Sequence, residues 1–271
     1  MLKTIKQKPI LNSIRHTCKI NKSFLWKGKS LKNLSFFIKK TKFKNSLGRK
    51  ILRTRIRRLK RRYRLLEYKR SFFGIPGEVI RLEYNPYITS FIALVLYKNG
   101  ILCYINTSKG FFKGAVISSY LRVSNNLEKS VLFTLGNTLI LNIIAPGSTI
   151  SNVEHYPNLG PIYCKSAGTF SQLLRKDRYY GYIKLPTGKI KKLSLFVKAS
   201  LGSNLNSSNK AVVLGKAGKS HWLGFNPIVR GVAGNPIDHP HGGGEGKKSK
   251  KADPRTYWGK VYKWRKTRKH F

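Results

Sequence analysis

The stretch GNPIDHPHGGGEG, residues 234–246, gathers the side chains of this chain that could do chemistry. It contains His239 and His241, with Asp238 and Glu245 nearby, and very few apolar side chains. A histidine beside a carboxylate can act in acid–base catalysis, so a hydrolase built on His239 and Asp238 is one hypothesis. Such an enzyme also needs a nucleophile and a pocket, and the sequence identifies neither.

A metal ion and a nucleotide fit the same stretch poorly. Two imidazoles that are two residues apart do not share a helix face, and no cysteine accompanies them, so the spacing of a zinc site is absent. Gly242, Gly243 and Gly244 lack the Gly-Lys-Ser/Thr ending and the preceding strand of a phosphate-binding loop. We therefore predict that the chain holds no metal and no cofactor.

The glycines favour a close approach of the backbone to a polar partner. Because glycine has no side chain, its backbone can come within hydrogen-bonding reach of a crowded surface. Pro236 and Pro240 restrict the chain between the glycines, and histidine can stack on bases and donate to phosphates. These features favour a loop that enters folded RNA. A flexible surface linker is the alternative, against which the prolines and the paired histidines argue.

The charge of the chain also favours a polyanionic partner. There are 55 lysines and arginines against 9 acidic residues among 271, a formal net charge of +46. The excess is concentrated in residues 1–70 and 240–271, which cannot bury enough apolar surface to fold alone. Nucleic acid is the expected partner and a membrane surface the alternative. No apolar run reaches the roughly 18 residues that a spanning helix requires.

The pattern along the chain predicts a mainly β protein. Residues 1–48 have no sustained period and are expected to be extended. The apolar spacing of three and four over residues 49–66 predicts a basic amphipathic helix. From Ser71 onward, short alternating runs with turn signals are typical of small β-barrels, with hairpins at Asn99-Gly100 and at Pro186-Thr187-Gly188. After about Gly215 no period remains, and we expect an irregular segment.

Several motifs together resemble one family. RGVAGNPIDHPHGGGEG, residues 230–246, resembles the RGVAMNPVDHPHGGGEG signature of the universal large-subunit ribosomal protein two family in its bacterial and organellar branch. LGKAGKSHWLG, GIPGEVIRLEYNP and SAGTFSQLL resemble further segments of that family. The resemblance covers roughly residues 48–271, whereas the first 45 or so residues have no clear counterpart.

The resemblance implies a fold and a domain division. It implies an OB-type barrel followed by an SH3-like barrel, flanked by extended basic N- and C-terminal tails. We therefore expect a basic N-terminal extension at 1–70, an OB-type RNA-binding barrel at 71–147, an SH3-like barrel at 148–225, and a Gly/His-rich loop with a basic tail that threads rRNA at 226–271.

The resemblance also implies a role. The chain is expected to be a structural constituent of the large ribosomal subunit, not an enzyme. Its expected partners are large-subunit rRNA, other large-subunit proteins and the small subunit, without a membrane and without homo-oligomers. His239 matches the family histidine near the peptidyl transferase centre, where we expect it to support the RNA rather than to act as a general base. Any magnesium nearby would be bound by the rRNA.

Two departures from the family pattern affect these expectations. The family methionine is Gly234 here, which removes an apolar contact with RNA. Where the family has a glycine-rich run, this chain has Ile56-Arg57-Arg58-Leu59, which favours the helix and leaves the N-terminal rRNA contact less defined residue by residue.

The predicted RNA-binding residues form four groups. Arginine suits phosphate and base stacking better than lysine does, which singles out the N-terminal cluster. Lys191 and Lys192 on the hairpin are also expected to face RNA, and a solvated face is the alternative for all the hairpin cations. For Trp222 the alternative is packing under the second barrel. Tyr63, by contrast, is spaced like a helix-face residue of the core. The full prediction is Arg53, Arg55, Arg57, Arg58, Lys60, Arg61, Arg62 and Arg64; Arg175, Lys176 and Arg178; Lys216, Lys219 and Trp222; and Arg230, Asn235, His239, His241, Gly242, Gly243, Gly244 and Lys247.

A second class of function fits the charge and the predicted barrel, namely a single-strand binder associated with a nucleoid or with transcription. The histidine- and glycine-rich stretch at residues 234–246 argues against it, because a generic single-strand binder has no need of such a loop. The Lys-, Asn- and Ile-rich composition and the basic, acid-free first 24 residues suggest an organelle, with those residues retained in the mature tail. We expect the mitochondrial matrix, with the plastid as the alternative, because the N-terminal half departs strongly from the bacterial pattern.

Overall fold

The structure is a computed structural model that describes residues 4–38, 44–52, 60–122, 129–244 and 253–262. Its elements are mostly short strands, which confirms the prediction of a mainly β protein. The strands are β1 Thr4–Lys6, β2 Cys18–Ile20, β3 Ser35–Phe37, β4 Arg62–Arg64, β5 Gly77–Glu83, β6 Ile92–Tyr97, β7 Leu102–Asn106, β8 Val116–Ile117, β9 Ser119–Tyr120, β10 Thr138–Ile140, β11 Thr149–Ser151, β12 Val153–Glu154, β13 Pro161–Tyr163, β14 Ser171–Lys176, β15 Tyr180–Lys184, β16 Ile190–Ser194 and β17 Lys198–Leu201. The helices are α1 Lys129–Leu132 and α2 Ala217–Trp222, with 3₁₀ turns at Ser207–Ala211 and Gly231–Ala233.

The chain divides into two compact units. The first comprises residues 1–38 and 60–216, and the second comprises residues 39–59 and 217–271. Every strand named above lies in the first unit, and the second unit contains α2 and residues 230–244.

A four-stranded antiparallel sheet forms one half of the first unit, in the order β7-β6-β5-β8. The predicted hairpin joins β6 to β7, and Gly100 takes a φ of 79° at its turn, a conformation that glycine adopts without strain. Strand β6 is buried at five of its six positions because sheet and flanking segments cover both of its faces. The core beneath the sheet includes Phe91, Val95 and Ile105.

A seven-stranded sheet forms the other half, in the order β16-β15-β14-β11-β17-β10-β9. The second predicted hairpin, β15–β16, turns at Gly188 with a φ of 82°. Alternation along β14 and β15 buries Leu173 and Ile183 and leaves their neighbours outside. These side chains join Leu139 and Ile150 in a separate core cluster.

Polar side chains connect the two sheets within this unit. Asn106, at the end of β7, donates from Nδ2 to Oδ1 of Asn152 at 2.8 Å and to Oδ1 of Asn204 at 3.2 Å. The buried Arg70 donates to the Gly136 carbonyl at 2.9 Å and to Thr138 Oγ1 at 3.1 Å. Burial lowers the pKa of Arg70. The two cores are therefore bridged by hydrogen bonds that specify one arrangement.

The predicted helix over residues 49–66 is wrong at both of its described ends. Residues 49–52 are not helical, and Lys50 forms an isolated β-bridge with Lys44. Residues 62–64 form strand β4, which pairs with β3, and Tyr63 packs between Phe36 and Tyr87 with ring centroids 5.4 Å apart in both pairs. Cross-strand aromatic packing has outweighed the helical spacing of the apolar residues. Residues 53–59, with Arg53, Arg55, Arg57 and Arg58, lie outside the described residues.

Within the described residues after Gly215, the chain is irregular as predicted, apart from α2 and the 3₁₀ turn at Gly231–Ala233. Helix α2 was not predicted, because it has no buried residue and therefore no apolar period to reveal it. Among the described residues, no helix is long and apolar enough to cross a membrane.

Candidate nucleic-acid interface

The outer face of the β14–β16 hairpins carries stacked cations and tyrosines. Arg175 lies opposite Tyr182, and Tyr182 lies opposite Lys192, so three neighbouring strands each place one of these residues in a row. The Arg175 guanidinium lies 4.3 Å from the centroid of the Tyr182 ring. Lys192 Nζ lies 4.0 Å from the centroid of the Tyr180 ring. We call Arg175, Arg178, Tyr179, Tyr180, Tyr182 and Lys192 the hairpin face.

The turn between β14 and β15 extends the hairpin face. The Asp177 amide donates to the Tyr180 carbonyl at 2.7 Å and closes the turn. Arg178 lies 5.3 Å from the centroid of the Tyr179 ring, and Tyr179 is 62% exposed. Exposed rings with guanidinium groups over them can stack on bases and pair with phosphates at the same place. The cations were predicted from the sequence but the tyrosines were not. The available signal was the cluster Tyr179, Tyr180 and Tyr182 directly after the basic segment 175–178.

Lys176 differs from the other predicted cations of this hairpin. Its Nζ donates to the Asn142 carbonyl at 2.8 Å, and partial burial lowers its pKa. Part of its role is therefore to bind the hairpin to the chain segment that follows β10.

The histidine–glycine loop, residues 230–244, is compact and folds back on itself. The Asp238 and His239 amides both donate to the Asn235 carbonyl, at 2.9 and 3.1 Å, and the Gly242 amide donates to the His239 carbonyl at 2.9 Å. The predicted site residues Asn235, His239, His241 and Gly242 are brought together here. Gly242 is buried, so the glycines serve the packing of the loop itself as well as any approach to a partner.

The two histidines accept hydrogen bonds from the backbone. His239 Nδ1 accepts from the His241 amide at 3.0 Å, and His241 Nε2 accepts from the Arg255 amide at 3.0 Å. In the neutral form of each ring, a nitrogen that accepts leaves the proton to the other nitrogen, which is Nε2 in His239 and Nδ1 in His241. The His239 ring also packs against Tyr257, with centroids 5.9 Å apart.

Lys50 clamps this loop from a position distant in sequence. Its Nζ donates to Asp238 Oδ1 at 2.8 Å and to the Tyr257 hydroxyl at 2.7 Å, while its carbonyl accepts from Trp258 Nε1 at 2.9 Å. The hydrogen bond to Asp238, followed by that to Tyr257, raises the pKa of Lys50. We call Lys50, Asp238, Tyr257 and Trp258 the loop clamp. Lys50 was not predicted, because one lysine among many in a basic segment carries no local signal.

Replacing Gly242 with alanine is expected to disrupt the loop. A Cβ at this position would collide with the Asn235 carbonyl that anchors the Asp238 and His239 amides. We expect amide hydrogen exchange over residues 235–242 to accelerate several-fold. Gly218→Ala in α2 is the matched control, because its Cβ meets no atom within 4 Å and alanine favours helix. Equal protection in the two variants would contradict this account of the loop.

The remaining predicted residues lie in several places. Lys216 ends the first unit, Lys219 and the 66% exposed Trp222 belong to α2, and Arg230 begins the loop in extended backbone. The exposure of Trp222 contradicts the alternative that its side chain packs under the second barrel. Gly243 and Gly244 have φ values of 73° and 98°, which glycine accommodates. Lys247 lies outside the described residues.

The described part of the N-terminal cluster is bound to the protein itself. Lys60 Nζ and the Arg62 guanidinium lie 4.6 and 5.1 Å from the centroid of the Phe37 ring. Arg61 donates to the Pro86 carbonyl at 2.9 Å, and Arg64 donates to the Arg62 carbonyl at 3.1 Å. These contacts orient the side chains of the cluster.

A further aromatic–cation pair was not predicted. Trp26 is half-exposed, and the Arg81 guanidinium lies 4.8 Å from the centroid of its ring. Arg81 Nε donates to Glu83 Oε1 at 2.8 Å, which fixes the direction of the guanidinium. The pair adds a second surface of the kind that nucleic acids contact.

This geometry gives little support for acid–base catalysis by His239 and Asp238 or for a metal site among the described residues. His239 in its neutral form uses Nδ1 as an acceptor within the loop, and Asp238 pairs with Lys50 rather than with the histidine. Across the described ranges, no group of three or more His, Cys, Asp or Glu side chains is arranged to hold a metal ion. Acid–base chemistry by this pair would need a different arrangement.

Comparisons with known proteins match nearly the whole chain. Residues 31–119 match the family model described as "Ribosomal Proteins L2, RNA binding N-terminal domain", and residues 134–259 match "Ribosomal Proteins L2, C-terminal domain". The "Large ribosomal subunit protein uL2" of Orientia tsutsugamushi (strain Ikeda) is 43% identical over 261 residues, which cover 96% of this chain and 93% of that protein.

Two other relatives carry the same name. The protein of Ehrlichia ruminantium (strain Gardel) is 44% identical over 257 residues, covering 95% of this chain and 90% of its own length. The protein of Rickettsia felis (strain ATCC VR-1525 / URRWXCal2) is 42% identical over 262 residues, covering 97% of this chain and 93% of its own length. The similarity extends into the first 45 residues, where the sequence analysis found no counterpart.

Proposed function

Because the chain belongs to the ribosomal protein L2 family, in its bacterial type, we propose that it is a structural constituent of a large ribosomal subunit and binds that subunit's rRNA. The observation that carries this proposal is the match of both family domains along one chain of net charge +46. The cation–tyrosine pairs of the hairpin face supply the matching chemistry, since they offer phosphate contacts and stacking surfaces together.

Sedimentation tests this proposal directly. An organelle or cell lysate is separated on a gradient and probed for the chain, with and without ribonuclease. We expect the chain to migrate with the large subunit and to leave that fraction after ribonuclease treatment. Migration with DNA, or as a small species indifferent to ribonuclease, would favour the single-strand binder instead.

The hairpin face is expected to contribute phosphate contacts. For the double variant Arg175→Gln/Lys192→Gln, we expect weaker RNA binding and a salt dependence of log K less steep by roughly 1.4 to 1.8, because each phosphate contact contributes about 0.7 to 0.9. Titration of large-subunit rRNA at several salt concentrations measures this slope. Lys113→Gln/Lys210→Gln removes two exposed cations elsewhere and serves as the control. An equal change of slope in both double variants would leave the hairpin face without a special role.

We propose that His239 supports the peptidyl transferase centre without acting as a general base. Its Nδ1 is engaged by the His241 amide and its Nε2 carries the proton, so the neutral ring is arranged to donate rather than to accept. We expect His239→Ala subunits to assemble largely intact and to form peptide bonds more slowly. Loss of assembly would instead assign the loop a purely architectural role.

We also propose a compartment and partners for the chain. We place the chain in the mitochondrial matrix, as part of the mitochondrial ribosome, with the plastid as the alternative. The support is its composition and its acid-free basic N-terminus. Its partners would include other large-subunit proteins and the small subunit, with no homo-oligomer. Immunoblots of purified organelles and gradient fractions test both points.

A further inference from the structure

A cavity of about 880 Å³ opens in the first unit, between the turn that follows β7 and the segment that follows β17. Its lining includes Phe24, Phe111, Leu135 and Phe170, together with the backbone and hydroxyls of residues 202–208. Phe24, Leu135 and Phe170 are 42%, 56% and 49% exposed. These three side chains are too exposed to belong to the core, and all of them line the same cavity.

The cavity walls are held in place by the structure behind them. Phe24 packs edge-to-face on the buried Phe91, with centroids 5.6 Å apart. Phe111 lies against Gly136, where a Cβ would collide with its ring. The Lys109 amide donates to the Ser203 carbonyl at 2.7 Å, which joins the two sides of the cavity. The depression is therefore preformed and does not require a partner to shape it.

The chemistry of the walls matches a nucleobase. Aromatic rings provide stacking surfaces, the hydroxyls of Ser203 and Ser207 provide hydrogen-bonding groups for a base edge, and Lys109 provides a cation at the same site. No aspartate or glutamate is among the lining residues, so nothing there repels a phosphate. The volume lies within the range of pockets for small organic ligands, which accommodates a nucleotide.

We propose that this cavity, the aromatic pocket, binds an unstacked base of the rRNA, with Phe24 and Phe170 contacting the base and Lys109 pairing with its phosphate. This proposal rests on the proposed rRNA-binding function and adds a specific mode of recognition to it. Unstacked bases from loops and bulges are the parts of an RNA that proteins read most readily. An apolar segment of a neighbouring protein is the competing occupant.

Photochemical crosslinking in intact large subunits tests the proposal. Ultraviolet irradiation followed by mass spectrometry of the digested protein locates nucleotide adducts. We expect adducts on the peptides that contain Phe24 or Phe170. The variant Phe24→Leu/Phe170→Leu keeps apolar side chains over the same core but removes the π faces, and we expect those adducts to fall roughly tenfold. Phe196→Leu, a 69% exposed ring that does not line the pocket, is the control.

The outcomes separate this proposal from the proposed function. If the chain enters large subunits and the hairpin face forms RNA adducts while the aromatic pocket forms none, the pocket proposal alone is wrong. Crosslinks from the pocket to another protein would overturn it in favour of the competing occupant. If the chain is absent from large subunits altogether, the proposed function itself fails. Adducts that persist unchanged in the double leucine variant would also contradict stacking by these rings.

Discussion

Lys50→Met is expected to release the histidine–glycine loop. The substitution removes both hydrogen bonds of Nζ, to Asp238 and to Tyr257, while keeping an unbranched apolar stem. We expect amide exchange over residues 235–242 to accelerate several-fold, because charge-assisted hydrogen bonds are the strong ones in such a cluster. In reconstituted large subunits, the same variant should slow peptide-bond formation in the direction of His239→Ala.

The control is Lys44→Met, which removes the same charge from an exposed side chain of the same segment. If Lys50 acts mainly as a phosphate-binding cation, the two variants should weaken rRNA binding alike and leave loop exchange unchanged. Asp238→Asn provides a second approach to the clamp, since it removes the charge of the acceptor but keeps an oxygen. We expect it to have a smaller effect than Lys50→Met.

The pH dependence of the clamp follows from the raised pKa of Lys50. A lysine with a higher pKa in the folded state contributes its full stabilisation below its ordinary pKa and loses it as the pH rises through the folded value. The Lys50 contribution is therefore constant through neutral pH and disappears only in strong alkali. Loop exchange, corrected for the intrinsic rate at each pH, should show no step between pH 7 and 9 that can be assigned to Lys50.

Glu154→Ala is expected to destabilise the protein strongly. This carboxylate is 1% exposed and accepts from the amides of Asn158, Gly160 and Lys198 at 3.2, 3.1 and 3.2 Å. It also lies 3.8 Å from Lys198 Nζ. Removing it leaves three amide donors without their acceptor and takes away the carboxylate beside Lys198 Nζ, which costs about 3–5 kcal/mol. Lys198 Nζ keeps its hydrogen bond to the Lys69 carbonyl at 2.7 Å.

Chemical denaturation measures this loss. Glu154→Gln keeps an acceptor oxygen and should cost about half as much, roughly 2 kcal/mol. Glu78→Ala removes an exposed carboxylate and is the control, with an expected change within about 0.5 kcal/mol. Burial lowers the pKa of Lys198, although the Glu154 carboxylate opposes that shift. A Glu154→Ala protein as stable as the control would show that the network contributes little.

Local patterns predicted the β elements well. Asn99-Gly100 and Pro186-Thr187-Gly188 each turn a hairpin because their backbone preferences act over a few residues and need no distant partner. The alternating apolar residues predicted strands on both sides of the second turn, and these strands, β15 and β16, bury Ile183 and Leu193. The family motif at residues 230–246 identified the loop and its histidines for the same reason, since the whole signature is contiguous.

Residues 60–66 show where local patterns fail. Their apolar spacing is helical, yet Tyr63 pairs with Phe36 across a sheet, because strand pairing and ring contacts with residues distant in sequence are not encoded in local spacing. The short helix α2 was not predicted for a different reason. None of its residues is buried, so its sequence has no apolar periodicity.

The sequence by itself determined the charge, the mainly β character and the family of this protein, because composition, alternation and contiguous motifs are local properties. Only the tertiary structure decided which cations form hydrogen bonds within the protein and which lie on its exposed surface. Lys50 and Asp238 are 188 positions apart, and nothing near either residue indicates that they meet. The tyrosines of the hairpin face and the phenylalanines of the aromatic pocket likewise become surfaces only when strands and turns bring them together. Such sites depend on long-range packing, which no local pattern encodes.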